Sequence, residues 1–359
     1  MREFYAGKTV LVTGHTGFKG AWLSLWLARL GARVIGFSLP ETEDPSRALF
    51  QPKVAVSLAF DVRDHGAVTE AMRAYAPEIV FHLAAQSLVG RSGEDPVGTL
   101  AVNVMGTVHV LEAACRTRET RVVLNVTSDK CYANSGLGRP FHEGDRLGGK
   151  DPYSASKACS EIVTTAWRES IRQNKVPALA TVRAGNVIGG GDWARGRIVP
   201  DIVRARTSNK PVLLRHPSAK RPWQHVLDPL RGYLDLARLL YDYPSRYEGA
   251  WNFGPDPSQA TEVRELARRM LKRWGNGSMV EAPDPSGLPD AASLKLDSSK
   301  SKRRLGWRPV FDLDSAIDFT VDWYRRVLEF RENPINVSEE QLAAYDALLD
   351  GRTRAGQDS

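Results

Sequence analysis

Short apolar runs alternate with longer amphipathic stretches through the first half of the chain. Lys8–Gly14 (KTVLVTG) is an apolar run that ends in glycine, and Phe18–Leu30 repeats apolar residues at helical spacing before Gly31. Further strand-like runs follow at Ala32–Ser38, Val54–Phe60, Glu78–Ala84, Arg121–Thr127 and Leu179–Arg183. This alternation predicts an α/β fold built on a doubly wound parallel sheet.

The pattern changes after Gly185. Three successive glycines at 189–191 open a loop, tryptophan and proline become frequent, and helical periodicity returns at Thr261–Trp274 and Leu313–Phe330. We therefore predict three parts: a nucleotide-binding domain over residues 1–185, a smaller substrate-binding lobe over 186–335 with some segments returning to the first domain, and a C-terminal helix with a frayed tail over 336–359.

Composition narrows the classes of protein that fit this pattern. The 359 residues are 42% hydrophobic and 25% charged, an ordinary globular balance. No run approaches the roughly 20 apolar residues of a membrane-spanning helix, and the N-terminus has no apolar signal-peptide core, which predicts a cytoplasmic protein without a membrane partner. The net charge of +7 comes without a basic run, so we expect no nucleic-acid partner. Cys115, Cys131 and Cys159 have no metal-ligand spacing, which predicts free thiols and no metal.

A glycine-rich turn joins the first predicted strand to the first predicted helix. Gly14, Gly17 and Gly20 follow the pattern G-x-x-G-x-x-G, and such a turn lets a dinucleotide pyrophosphate approach the helix N-terminus. In isolation the pattern also fits a plain tight turn, but its place between strand and helix favours a Rossmann-type cofactor site. Thr16 and Phe18, in the same turn, belong to this predicted site.

The end of the second strand carries no acidic residue. Ser38 stands where a carboxylate would bind the ribose hydroxyls and repel a 2′-phosphate, so we predict NAD and leave NADP as an alternative. Asp61, after the third strand, is a candidate ligand for the adenine amino group, or alternatively the cap of the next helix. Ala84 and Gln86, after the fourth strand, complete the predicted cofactor-binding set.

Tyr153 and Lys157 form a Y-x-x-x-K pattern on a predicted helix that runs from Tyr153 to about Gln173. Positions i and i+4 share one helix face, and a lysine ammonium one turn from a phenol lowers the phenol pKa. The tyrosine can then take a hydroxyl proton while a hydride leaves the same carbon. Such pairs also occur by chance on exposed helices, but the position after the fifth strand favours a catalytic pair that also contacts the cofactor.

The fifth strand ends in Thr127, Ser128, Asp129 and Lys130. Ligands meet open α/β sheets at the carboxyl ends of the strands, so a hydroxyl here can bond the same substrate oxygen as the tyrosine. We assign this role to Ser128, with Thr127 as the alternative. Asp129 and Lys130 are either an acid and a base at the ligand or an ordinary solvated turn.

These motifs resemble the extended short-chain dehydrogenase/reductase superfamily and, within it, the CDP-glucose 4,6-dehydratases. The resemblance runs from about Lys8 to Pro309 and is carried by His15–Gly20, Thr127–Tyr132, Arg183–Trp193 and Arg221–Val226. It implies a tightly held NAD and a homodimer or homotetramer. It also implies a catalytic triad of Ser128, Tyr153 and Lys157, with Asp129 and Lys130 serving the elimination. The residues that it implies for binding the nucleotide-sugar are Asn186, Arg197, Arg221 and His225.

The activity that the resemblance implies converts CDP-glucose to CDP-4-keto-6-deoxyglucose, a precursor of dideoxy sugars in bacterial surface polysaccharides. The sugar is oxidised at C4, loses water across C5 and C6, and regains the hydride at C6. A nucleotide-sugar epimerase would share the fold and the Tyr153–Lys157 pair, but it needs no acid and base beside Ser128. A nucleotide sensor without turnover is a third hypothesis, and an intact Tyr153–Lys157 pair argues against it.

Overall fold

The structure is a computed structural model that describes residues 1–40, 50–51, 54–134, 138–170, 177–275, 277–282 and 294–355, the last four without their side chains. Its strands are β1 Thr9–Thr13, β2 Arg33–Ser38, β3 Val56–Ala59, β4 Ile79–His82, β5 Val122–Val126, β6 Ala178–Arg183, β7 Val187–Ile188, β8 Val212–Leu214, β9 Lys220–Arg221, β10 Gln224–His225, β11 Gly249–Asn252, β12 Thr261–Glu262 and β13 Met279–Glu281.

The helices of four or more residues are α1 Arg2–Tyr5, α2 Phe18–Arg29, α3 His65–Tyr75, α4 Val89–Glu94, α5 Pro96–Arg116, α6 Pro152–Ser170, α7 Ile198–Thr207, α8 Leu227–Asp242, α9 Pro244–Tyr247, α10 Val263–Trp274, α11 Ser299–Leu305, α12 Leu313–Leu328 and α13 Pro334–Ala355. Within α5, residues Ala101–Met105 form a π-helical turn.

Seven strands form one central sheet in the order β3-β2-β1-β4-β5-β6-β11, and all six pairings are parallel. Helices cover both faces because the strands are apolar on both sides: Val10 and Val12 pack in one core and Leu11 in the other. The predicted doubly wound Rossmann-type sheet is confirmed. The strand order reverses between β1 and β4, and ligands bind at the carboxyl ends beside such a switch point.

Two segments of the second half return to the central sheet. β11 pairs with β6 at its edge, and α8 packs beneath β5 and β6 next to α2. Both lie inside the range predicted as mainly a second lobe with returning segments. Helix α6 was expected to reach about Gln173, which lies outside the described residues. Helix α13 continues to Ala355, although the tail was expected to fray from Gly351.

Helix α5 differs from what the sequence analysis expected. By length and composition alone it is apolar enough to cross a membrane, but 44% of this apolar span is buried in the fold. Its Val110, Leu111 and Ala114 belong to the core on one face of the sheet, and it packs beside α3 and α6. In this fold α5 is therefore a flanking helix of the central sheet.

The second lobe packs against the sheet through the glycine loop at 189–191. Trp22 of α2 donates its indole N–H to the Gly190 carbonyl (2.8 Å), and a Cβ on Gly190 would lie 2.1 Å from the Trp323 ring of α12. Tyr324 donates its hydroxyl to the Asp192 carbonyl (2.6 Å). These contacts hold the loop that precedes α7 against the carboxyl edge of the sheet.

Candidate active site

The three glycines of the turn after β1 have different structural tasks. Gly14 has φ +74°, in the left-handed region, and a Cβ there would lie 2.8 Å from the Ala84 nitrogen. A Cβ on Gly20 would lie 2.0 Å from the Gly14 carbonyl oxygen, so helix α2 can approach β1 only with glycine at this position. Gly17 is the N-cap of α2 and makes no side-chain capping bond. The turn therefore presents bare backbone at a helix N-terminus.

This helix N-terminus suits an anionic group. Its first turn has no acidic residue, the helix dipole is positive there, and Lys19 adds a cation that has no hydrogen-bond or ion-pair partner among the described residues. Burial lowers the pKa of Lys19 to about 8, and the nearby charge of Arg197 adds to this effect. The residues present thus fit the diphosphate of a dinucleotide. The sequence analysis did not single out Lys19.

Other predicted cofactor residues lie around this turn. The Thr16 backbone N–H donates to the buried Ser38 hydroxyl (3.3 Å), which ties the end of β2 to the turn. The Phe18 ring lies against the loop at Gly189. Asp61 accepts bonds from the Arg63 side chain (2.6 Å) and backbone N–H (2.8 Å). The alternative role of Asp61 as a helix cap is wrong, because the residue that caps α3 is Asp64.

A buried asparagine that the sequence analysis missed connects the loop after β4 to helix α6. Asn103, in the π-helical turn of α5, donates its amide to the Gln86 carbonyl (2.9 Å) and the Ser156 hydroxyl (2.8 Å), and its oxygen accepts the Gln86 N–H (2.9 Å). Ala84 is held in the same loop, since its N–H donates to the Thr13 hydroxyl (3.1 Å). Single π-helical turns are frequent at functional sites.

Tyr153 and Lys157 lie on the first two turns of α6, with 7% and 5% of each residue exposed. Next to them, at the end of β5, Ser128 donates its hydroxyl to Asp129 Oδ1 (3.0 Å), and Lys130 Nζ lies 3.7 Å from the same oxygen. The structure thus brings the five predicted catalytic residues into one group. Asp129 is almost fully buried, so the alternative of a solvated turn fails for this carboxylate.

The charges around the Tyr153 phenol differ from the simple pair that the sequence predicts. Burial raises the pKa of Tyr153, and a hydrogen bond with Ser128 and the charges of Lys130 and Arg197 work in the opposite direction. Lys157 donates instead to the Val126 carbonyl (3.2 Å), and burial lowers the pKa of its ammonium to about 8. Lys130 is therefore one of the cations that lower the pKa of the Tyr153 phenol.

Thr127, the alternative to Ser128, is turned away from this group. Its hydroxyl donates to the buried Glu161 carboxylate and also contacts the Val182 carbonyl (3.4 Å). A hydroxyl engaged in this way is not presented to a substrate, so the geometry favours Ser128 as the hydroxyl beside Tyr153.

Two predicted substrate-binding residues lie at the edge of the site. Asn186 has φ +51°, an uncommon conformation for a residue other than glycine. Its buried amide nitrogen has no hydrogen-bond partner in the part of the chain that the structure describes. Strained residues of this kind cluster at functional sites. Arg197 donates to the Ser87 hydroxyl (2.8 Å) and pairs with Asp192 (3.1 Å), which bridges the second lobe to the loop after β4.

The remaining two residues differ in their surroundings. Arg221 lies on β9, where its guanidinium donates to the Lys220 carbonyl (3.0 Å). His225 is fully buried, and its ring packs against Trp22 and Phe311 at centroid distances of 6.4 and 5.0 Å. Burial lowers the pKa of His225 to about 3. The His225 ring thus belongs to the core beneath the site, and its role in substrate binding stays a prediction.

Fold and site geometry agree with the comparison to protein families. The NAD dependent epimerase/dehydratase family matches residues 10–244, and the chain belongs to this family. Among its relatives is the CDP-glucose 4,6-dehydratase of Salmonella typhimurium, which is 42% identical over 96% of this chain and 98% of that protein.

More distant relatives share the whole architecture. The dTDP-glucose 4,6-dehydratase of Xanthomonas campestris is 26% identical over 88% of this chain and 93% of its own length. The solved structure of the Thermus thermophilus UDP-glucose 4-epimerase in complex with NAD superposes with a TM-score of 0.76 at 27% identity, over 88% of this chain and 99% of that one. Dehydratases and epimerases thus share this scaffold.

Gly185 offers a direct test of the Asp129 carboxylate. A Cβ on Gly185 would lie 1.8 Å from Asp129 Oδ2, so Gly185→Ala must displace the carboxylate from its bond with Ser128. We expect consumption of a nucleotide-glucose substrate to slow at least about tenfold, since a misplaced proton-transfer group typically costs about 10²–10⁴-fold. Gly93→Ala is the control, because no atom lies within 4 Å of the added methyl. Equal rates for wild type and both variants would contradict a role for Asp129.

Proposed function

We propose that the chain is a nucleotide-sugar 4,6-dehydratase that uses NAD to convert CDP-glucose to CDP-4-keto-6-deoxyglucose. The observation that carries the proposal is the position of Asp129 and Lys130, 3.7 Å apart and next to Ser128 and Tyr153. Dehydration needs an acid and a base beside the C4 oxidation site, and epimerisation does not. The cytidine nucleotide is supported by the 42% identity to the Salmonella enzyme.

The cofactor site is assigned to the glycine turn and the neighbouring strand ends. Gly14, Gly17 and Gly20, with Thr16 and Phe18, would hold the diphosphate. Ser38 and Asp61 would contact the adenosine; Ala84 and Gln86, with Tyr153 and Lys157, would contact the nicotinamide half. Bound at these residues, NAD would supply the hydride acceptor for oxidation at C4 and the hydride donor for reduction at C6.

Oxidation at C4 requires removal of the hydroxyl proton. Tyr153 would accept this proton. Burial raises its pKa, and the hydrogen bond with Ser128 and the charges of Lys130 and Arg197 offset part of that rise. With substrate bound, the Ser128 hydroxyl would turn from Asp129 Oδ1 to the C4 oxygen beside the phenol. Lys157, held by the Val126 carbonyl, supplies positive charge on the same helix face.

The ketone at C4 acidifies the C5 proton and so prepares the loss of water. One residue must take the proton from C5 while another protonates the departing C6 hydroxyl. Lys130 in its amine form could take the C5 proton, with Asp129 as the acid. Lys130 in its ammonium form would instead stabilise the C4 oxygen, and Asp129 would then move the proton.

The nucleotide-sugar is assigned to the edge of the second lobe. The buried amide of Asn186, which has no partner among the described residues, would bond the ligand and so complete its hydrogen bonding. Arg197 and Arg221 would contact the diphosphate or the sugar, since a guanidinium binds phosphate oxygens in pairs. This assignment makes Arg197 a bridge between the bound sugar and Ser87 in the cofactor loop. A cytoplasmic location fits a soluble nucleotide-sugar substrate.

A second copy of the chain is the proposed partner on the α5–α6 face. Val97, Met105 and Ile162 on these adjacent helices are 76%, 47% and 56% exposed, and exposed apolar side chains that share a face favour a protein–protein interface. The resemblance to homo-oligomeric dehydratases favours a homodimer across this face.

The path of the hydride distinguishes a dehydratase from an epimerase and from a simple dehydrogenase. CDP-glucose deuterated at C4 should give a 4-keto-6-deoxy product that carries the label at C6, without net release of NADH. NMR of the product checks the position of the label, and a panel with dTDP-glucose and UDP-glucose checks the nucleotide. Label retained at C4 of an epimerised sugar would indicate the epimerase, and stoichiometric NADH would indicate a simple dehydrogenase.

A further prediction separates the two roles of Lys130. Lys130→Gln should slow elimination in either case, but only a base role predicts that exchange of the C5 hydrogen is lost. The 4-keto intermediate trapped in this variant is followed by NMR in deuterated water. Exchange at the wild-type rate would rule out Lys130 as the base. Tyr153→Phe is the control, since it should stop the reaction before the ketone forms, with a loss of about 10²–10⁴-fold.

The homodimer prediction uses one substitution on the apolar face. Ile162→Glu places a charge where the proposed interface excludes water, so we expect a shift from dimer to monomer in sedimentation velocity at micromolar concentration. Ser170→Glu, at the exposed end of the same helix, is the control. A wild-type protein that sediments as a monomer would contradict the proposed interface.

A further inference from the structure

A buried ion pair behind the candidate active site joins α6 to β6. Glu161 lies one turn after Lys157 on α6, and Arg183 is the last residue of β6. Their closest contact is 2.6 Å, with side chains 1% and 3% exposed. Burial raises the pKa of Glu161, but the charge of Arg183 and its hydrogen bonds lower it below the ordinary value, so the pair is ionic.

Every acceptor position of this carboxylate is used. Oε1 accepts the Thr127 hydroxyl and Arg183 Nε (2.9 Å). Oε2 accepts the Thr181 hydroxyl (2.7 Å) and Arg183 Nη2 (2.6 Å). The Arg183 guanidinium also donates from Nη1 to the Tyr132 hydroxyl (2.7 Å), and its carbon lies 4.8 Å from the centroid of the Tyr132 ring.

These bonds reach both ends of the segment that carries the proposed acid and base. Thr127 precedes Ser128 and is bonded to Glu161, and Tyr132 follows Lys130 and Cys131 and is bonded to Arg183. The same carboxylate is part of the helix that carries Tyr153 and Lys157. One ion pair therefore links the two separate pieces of chain from which the site is assembled.

Stability alone is a weak reason for such a pair. Replacing a buried ion pair by apolar residues of similar volume is often neutral or stabilising, whereas breaking one partner is costly. We propose that Glu161 and Arg183 are positioning residues, which hold the Ser128–Lys130 segment in register with Tyr153. This inference rests on the proposed function of that segment.

Two threonines on the same carboxylate provide a matched comparison. Thr127→Val and Thr181→Val each remove one hydrogen bond to Glu161 at a buried position, but only Thr127 belongs to the segment before Ser128. We expect Thr127→Val to lower kcat at least tenfold with KM within threefold, and Thr181→Val to change kcat less than threefold. The two variants should lose similar amounts of thermal stability, measured as Tm.

The pH dependence of kcat gives a second measurement, which should not change if Glu161 only stabilises the fold. Lys157 has a pKa lowered by burial to about 8 and raised in part by Glu161. Other groups that face Lys157 are Cys131, His82 and Lys19. In Glu161→Gln the carboxylate charge is lost, so the Lys157 pKa falls and the alkaline limb of the kcat profile should move to lower pH.

The outcomes separate this inference from the proposed function. Wild-type protein that forms no 4-keto-6-deoxy product from any nucleotide-glucose refutes the function, whatever the variants do. Active wild type with equal kcat losses in Thr127→Val and Thr181→Val refutes the positioning role. A folded Glu161→Gln with wild-type kcat and an unmoved alkaline limb also refutes it. If Glu161→Gln does not fold, the threonine comparison alone decides.

Discussion

Four charged side chains at the carboxyl edge of the central sheet are almost completely withdrawn from water. Asp129, Lys157, Glu161 and Arg183 are each between 1% and 5% exposed. Burying an ion costs several kcal/mol, by order of magnitude, unless nearby groups compensate it. Each is therefore placed where a strand end, a hydroxyl or an opposite charge supplies partners. The shape of the candidate active site follows from this constraint, because moving one strand end would leave a buried charge without its partner.

The balance of charge around Tyr153 also follows from the fold. Four cations, Lys19, Lys130, Lys157 and Arg197, come from four different segments. They outnumber the three carboxylates with which they interact, Asp129, Asp192 and Glu161. An excess of positive charge in a poorly hydrated site favours a phenolate and attracts diphosphate groups. The same excess would be costly without an anionic ligand, which links the stability of the site to the proposed cofactor and substrate.

Dehydratases and epimerases share this scaffold, so the fold alone does not separate the two activities. The proposed dehydration depends on a small set of groups at the end of β5. The buried Asp129 and the half-buried Lys130 lie next to the hydroxyl of Ser128, and the glycine at 185 leaves the space that the carboxylate needs. In the proposed reaction these two groups would act as the acid and the base beside the oxidised sugar carbon.

Local sequence determined the elements that depend on neighbours along the chain. Buried parallel strands are contiguous apolar runs, and the glycine turn and the Tyr153–Lys157 pair are each a few residues long, so their spacing was sufficient to predict the sheet and the centre of the site. Tertiary structure alone decided which distant residues meet. Lys19, Asn103 and Glu161 gain their surroundings from other strands and helices, and His225 proved to be part of the core. Packing selects those contacts, because a side chain's partner across a sheet is set by the register of strands that lie tens of residues apart in the chain, and no local pattern encodes that register.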